Sequence, residues 1–215
     1  MDGSYRYSIS GPIMVNESGT AEITSPLFKR GSFYFLKGDD EMNIQIRKAL
    51  LEDSEEIAKV HVESWRTTYS GIMKDSIIAG LDVGKRTELW KNNLTIEGNL
   101  VVVAEKNGQI IGFACGSAVK EGEYPEYDGD VTAIYFYKEE QGNGYGKLLL
   151  DALFQEFCQT GFRNAIVKVL DQNNSRYFYE KLGARLIDSQ EVPQYGEGLN
   201  LLTYGWENLP PLARI

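Results

Sequence analysis

The chain has 215 residues, of which 42% are hydrophobic, 12% aromatic and 25% charged, a globular composition that excludes a disordered, collagen-like or coiled-coil protein. Lys plus Arg number 22 and Asp plus Glu 31, so the formal net charge is -9. That balance disfavours sequence-independent nucleic-acid binding, which runs on phosphate neutralisation.

The chain changes character near Met42. Residues 1–41 are rich in Gly, Ser and turn formers, with short aromatic alternations at Tyr5, Tyr7 and Ile9 and at Phe33 and Phe35. They are expected to be accessory: one or two hairpins, an upstream-extended start, or a non-native leader. Residues 42–215 form the main domain. Ile44 and Ile46 alternate with polar residues and predict a strand over 43–47. Asp53, with Glu56 three positions on, predicts a capping box. The helix it opens carries Ala58, Val62, Trp65 and Tyr69 on one stripe. A second helical region covers 75–94 and is interrupted near Gly80 and Gly84.

The β-branched run at 100–104 predicts a buried strand, and Asn107-Gly108 turns it into a returning strand over 110–119. An acidic loop at 121–130 leads into a third strand over 131–137. A glycine cluster follows, then a helix that turns Leu149, Leu150, Leu153, Phe154 and Phe157 to the core. Residues 165–170 are another strand. A short helix over 175–182 stops at Gly183, and strands near 184–192 and 199–206 finish the chain. This order predicts an α/β fold, a mixed sheet with helices on both faces.

Cys115 and Cys158 stand in apolar surroundings without CxxC spacing, and His61 is the only histidine. That set excludes a Cys/His zinc cluster and a secreted disulfide scaffold, and no metal is expected. A Ser-His-Asp triad would have to use His61, which has no nucleophile-elbow sequence to serve. No apolar run approaches the ~18 residues that cross a bilayer. The first residues carry no secretory pattern. The expected location is the cytoplasm, with no membrane and no nucleic-acid partner.

The stretch Gln141-Gly142-Asn143-Gly144-Tyr145-Gly146-Lys147 joins a strand directly to an amphipathic helix. Glycines permit positive φ, so successive N–H groups can face one concavity. The helix N-terminus adds about half a positive charge there. Together they suit a phosphate or pyrophosphate. The P-loop pattern is absent, because Leu148 stands where its hydroxyl residue belongs, and the third glycine comes one residue early for a dinucleotide fingerprint. A purely structural turn is the alternative.

The stretch fits Q/R-x-x-G-x-G and resembles the coenzyme A pyrophosphate motif of the GNAT N-acetyltransferases. Asn173-Asn174-Ser175-Arg176-Tyr177-Phe178-Tyr179-Glu180-Lys181-Leu182-Gly183 is similar to that family's second signature, and the likeness covers about residues 42–207. The resemblance implies a GNAT-like acyl-CoA N-acyltransferase fold in which two neighbouring parallel strands splay apart. Pantetheine would pair with the backbone at Ile134, Tyr135 and Phe136. The pyrophosphate would sit on the N–H groups from Gly142 to Lys147, with Gln141 opening the motif. Asn173 matches the asparagine that contacts the cofactor arm, although in some relatives Gln172 would hold that place.

The implied function is transfer of acetyl from acetyl-CoA to a primary amine by direct attack. Tyr179 matches the general acid that faces the sulfur, its alternative being a core aromatic. Asp130, or a neighbour such as Asp128 or Glu126, would act as base through a water. The acidic loop is otherwise a solvated face, or a device that draws in a cationic amine. Trp65 and Tyr69 lie where the family builds one wall of the acceptor site, and either can be core alone. The acceptor is a small amine or a peptide amine, including a protein N-terminus or lysine. Pairing of terminal strands into a homodimer suits the architecture. Rival readings are a non-catalytic acyl-CoA-binding module and a nucleotide-binding domain.

Overall fold

The computed structural model describes residues 33–37 and 43–209. Strands β1 (Phe33–Lys37) and β2 (Asn43–Lys48) precede helices α1 (Ser54–Tyr69), α2 (Asp75–Ala79) and α3 (Val83–Thr95). Next come β3 (Leu100–Lys106), β4 (Gln109–Ala118) and β5 (Gly129–Phe136). The chain continues through α4 (Tyr145–Gln159), β6 (Ala165–Leu170), α5 (Arg176–Lys181), β7 (Arg185–Glu191) and β8 (Asn200–Trp206). Among the described residues the strands form one sheet in the order β1-β2-β3-β4-β5-β6-β8-β7. Every neighbouring pair is antiparallel except β5 and β6, which run parallel on either side of the α4 crossover.

Two apolar layers hold the helices to the sheet. On one face Leu149, Leu153 and Phe157 of α4 pack with Ile134, Val167 and Trp206. On the other, Ile57 and Tyr69 of α1 and Trp90 of α3 pack with Val103, Phe113 and Tyr135. The mixed sheet with helices on both faces is therefore the predicted one. No helix among the described residues is long and apolar enough to cross a membrane.

The local signals were resolved in instructive ways. The second helical region divides at the first of its two glycines only: α2 ends at Gly80, whereas Gly84 lies inside α3, which Asp82 caps by accepting the Lys85 N–H at 2.8 Å. The capping box at Asp53 does not form. The Asp53 carboxylate instead accepts from both terminal guanidinium nitrogens of Arg47, at 2.6 and 2.9 Å, and from the Leu50 N–H at 2.7 Å. Glu56 reaches across to the Ile110 N–H at 3.0 Å. A two-pronged charged partner outweighs a local cap. Within residues 1–41, Phe33–Lys37 pairs antiparallel with β2 as β1, and the rest of that segment lies outside the described residues.

One irregularity shapes the middle of the sheet. Cys115 stands opposite Ala133 and Gly116 opposite Val131, which leaves Thr132 as an extra residue in β5. This is a β-bulge. The Thr132 hydroxyl lies 3.1 Å from Cys115 Sγ. Pairing of β5 with β6 covers only Gly129, Asp130 and Val131, and stops where the bulge begins. Beyond it the two strands no longer share a ladder.

Candidate active site

The glycine turn lies between β5 and α4. Gly142 and Gly144 have φ of +83° and +80°, and Gly144 is the left-handed residue that caps α4. A Cβ at Gly144 would meet nothing within 4 Å, so open space faces it. The N–H groups from Gly142 to Gly146 have no backbone partner among the described residues. Lys147 N–H turns back to the Gly144 carbonyl at 3.1 Å, and its ammonium pairs with Asp151 at 2.6 Å. Asn143 donates to the Glu140 carbonyl at 3.2 Å, and Tyr145 packs near Phe136. Both polar atoms of the Gln141 amide are buried without a partner. A run of outward N–H groups at a helix N-terminus, beside an orphaned amide, fits a bound diphosphate.

The gap between β5 and β6 supplies the second part. Tyr137 N–H bonds the Ile111 carbonyl in β4. By the two-residue period of a strand, Ile134 and Phe136 direct their backbone groups the other way, into the gap. There β6 no longer answers them. Among the described residues the Phe136 carbonyl is taken by the Ser64 hydroxyl of α1 at 2.7 Å. An extended thiol-bearing arm could complete this edge as an added strand does.

Polar side chains converge on the same gap from α1, β5 and α5. Tyr69 accepts from the Asn173 amide at 3.3 Å and hydrogen-bonds the Tyr135 hydroxyl. Asn173 Oδ1 takes the Ser175 N–H at 2.9 Å and the Ser175 hydroxyl at 2.7 Å, which sets the start of α5. One turn on, Tyr179 is 0% exposed, and its hydroxyl has no partner. Burial, then the neighbouring Tyr135, pushes its pKa well above the ordinary tyrosine value, so the phenol keeps its proton. An orphaned buried hydroxyl beside an unpaired strand edge is the feature a thioester would satisfy.

Asp130 stands at the other end of β5, away from the glycine turn. It is 7% exposed and lies 3.2 Å from the Lys168 ammonium of β6, which Glu123 also holds at 3.0 Å. Burial raises the Asp130 pKa, and Lys168 opposes that rise. Other members of the acidic loop are tied down as well. Asp128 accepts the Arg163 N–H at 2.8 Å, and Tyr124 donates to Asp188 at 2.7 Å.

The single histidine, His61, belongs to the core. It is fully buried, stacks on Tyr135 at 5.1 Å, and accepts the Trp90 indole N–H on Nδ1 at 3.1 Å. It supports the wall of the site rather than entering it. Cys115 is also inert, since burial pushes its thiol up to about 12. The bulge at Thr132, the Ser64 contact and the Tyr69–Asn173 link were not predicted. Lys168 did leave a trace, as the one charge inside the apolar run 165–170.

The family model for the Acetyltransferase (GNAT) family matches residues 55–184, a span that takes in both motifs and the opened strands. The chain belongs to this family. It is an acyltransferase, and acetyl-CoA is its acyl donor. Among characterised and uncharacterised relatives, it is 34% identical over 172 residues to the uncharacterised N-acetyltransferase YuaI of Bacillus subtilis (strain 168), covering 80% of this chain and 98% of that one. The fold is similar to that of PaiA N-acetyltransferase from Thermoplasma acidophilum, solved in complex with coenzyme A. That match has a TM-score of 0.63 and 23% identity, over 76% of this chain and 99% of the other. YncA from Salmonella typhimurium, solved with its cofactor acetyl-CoA, matches with a TM-score of 0.61 and 22% identity, over 80% and 96% of the two chains.

Proposed function

We propose that the chain acetylates a primary amine by direct attack, with Tyr179 as general acid and Asp130 as base through water. The buried, unpartnered Tyr179 hydroxyl beside the unpaired edge of β5 is the observation that carries this reading. Acetyl-CoA, when bound, supplies the acetyl group as a thioester. Gly142, Asn143, Gly144, Tyr145 and Gly146 hold the diphosphate through backbone N–H groups, with Gln141 and Lys147 at its margin. Ile134, Tyr135 and Phe136 line the arm, and Asn173 borders it while fixing the start of α5. An N–H of the β5 edge, from Ile134 or Phe136, points at the thioester carbonyl and stabilises the charge that grows there.

The chemistry balances as follows. The amine nitrogen forms a bond to the acetyl carbon, and the carbon–sulfur bond breaks. Tyr179 gives its proton to the departing sulfur. In becoming an amide the ammonium loses two protons: the second, shed after the carbon–nitrogen bond forms, restores the Tyr179 phenol, and the first, shed before attack, passes to Asp130. At ~3.3 Å per residue, Asp130 stands roughly 10 Å along β5 from Ala133, so ordered water carries that proton. Lys168 keeps the carboxylate charged in its buried position.

Residues 42–215 act as the catalytic domain, 1–41 as an accessory segment, and the protein works in the cytoplasm on a small amine or peptide amine, with homodimer pairing of terminal strands. Calorimetry with acetyl-CoA on the full chain and on residues 42–215 tests the core of this reading. Micromolar binding with equal affinity is expected for both. Absence of binding by the folded full chain would remove the reading.

A further inference from the structure

On the α1–α3 side of the site stands a cation that no carboxylate among the described residues neutralises. Arg86 of α3 extends over the Trp65 ring, with its guanidinium carbon 5.6 Å from the ring centre. It is largely buried, and burial pulls its pKa down. No carboxylate among the described residues opposes that shift, and Tyr135 alone does. Its charge is felt by His61 and Tyr135 at the heart of the site wall. A half-buried guanidinium without an anion gives up hydration that the ring contact with Trp65 offsets only in part.

Its neighbours lead to the reacting centre. Trp65 packs edge-on against Tyr69, with ring centres 5.3 Å apart. Tyr69 bonds Asn173, which fixes the helix that carries Tyr179. Lying over the Trp65 ring, the guanidinium keeps its N–H fork free of hydrogen bonds among the described residues. That fork matches the two oxygens of a carboxylate.

We propose that Arg86, seated on Trp65, binds a carboxylate of the acceptor, and that the acceptor is therefore a free amino acid whose amine points toward the Tyr179 end of the site. This rests on the acetyltransfer reading above. It separates the acceptor classes, because the first residue of a protein has its carboxyl locked in a peptide bond.

The test follows thiol release from acetyl-CoA by the full chain, with free L-amino acids and with the carboxamides of the same amino acids. Acetyl-CoA affinity is measured in parallel. A carboxamide has the less basic amine and offers more free base at neutral pH, so a preference for the acid runs against intrinsic reactivity. We expect kcat/KM for at least one amino acid to exceed that of its carboxamide by tenfold or more. Arg86→Gln should abolish that preference through KM and leave acetyl-CoA affinity unchanged. Arg86→Lys, which keeps the charge and loses the fork, should retain part of it. If Arg86→Gln does not fold, the wild-type ratio and the Lys variant decide.

Equal turnover of acid and carboxamide overturns the carboxylate subsite. So does turnover confined to amines or peptides, an unchanged preference in Arg86→Gln, or no turnover of any acceptor by protein that binds acetyl-CoA. Failure to bind acetyl-CoA overturns the acetyltransfer reading itself.

Discussion

Tyr179 carries a hydroxyl that folding buries and leaves without a partner. Such a group destabilises the fold, so its removal should not weaken it. Tyr179→Phe is expected to keep or raise the melting temperature, to hold acetyl-CoA affinity within about twofold, and to lower kcat by about 10²-fold or more. Calorimetry, melting and steady-state kinetics on one preparation read all three. A core tyrosine would show no such loss of kcat. At Asp130 the sign can also be worked out. Burial already raises its pKa and the Lys168 ammonium restrains it. Lys168→Met removes the restraint, so the carboxyl protonates at higher pH. A base must be ionised, so the acidic limb of kcat/KM should move upward by about one pH unit. In Asp130→Asn that limb should vanish, and Glu123 still pairs with Lys168 to hold the fold.

At the scale of elements, the site depends on how β5 ends its partnerships. The bulge at Thr132 inverts the alternation, so Val131 faces the α4 layer while Ala133 and Tyr135 face α1. The ladder to β6 also ends there, which frees an edge in the middle of an otherwise continuous sheet. The glycine turn then passes the chain to α4. Gly144 occupies a left-handed conformation with open space before it, so a side chain there is strained by backbone and intrudes on the cradle. Gly144→Val is expected to destabilise the protein by about 1–2 kcal/mol. It should also weaken acetyl-CoA binding by tenfold or more, as read by urea unfolding and calorimetry. The turn was legible in the sequence because positive φ has a residue signature. The bulge was not, since Thr132 is an ordinary strand residue and only its register against β4 makes it extra.

Across the whole molecule, His61 joins the sheet to α1 and α3. Folding buries it as a neutral ring, first by desolvation and then by the nearby Arg86 charge, and holds its pKa well below the ordinary value. The unfolded chain therefore binds a proton that the folded chain refuses. Stability from this group is complete above about pH 6.5 and falls as pH drops below it, by up to about 1.4 kcal/mol per pH unit. As the chain has one histidine, His61→Gln should flatten the fall. Urea midpoints at pH 7.5 and 5.5 for both proteins give the comparison.

By itself the sequence determined the strand and helix order from 43 to 206, the two apolar faces, and the places of the glycine turn and of the short helix bearing Tyr179. Each of these rests on local spacing or on a backbone conformation that particular residues favour. The tertiary structure alone decided that Asp53 serves Arg47 rather than a cap, that Lys168 faces Asp130, and that no carboxylate among the described residues pairs with Arg86. It also joined Asn173 to Tyr69 across 104 positions of chain. Such contacts have no local signature. They arise from which distant side chains the folded sheet brings within reach, and burial then sets their charge.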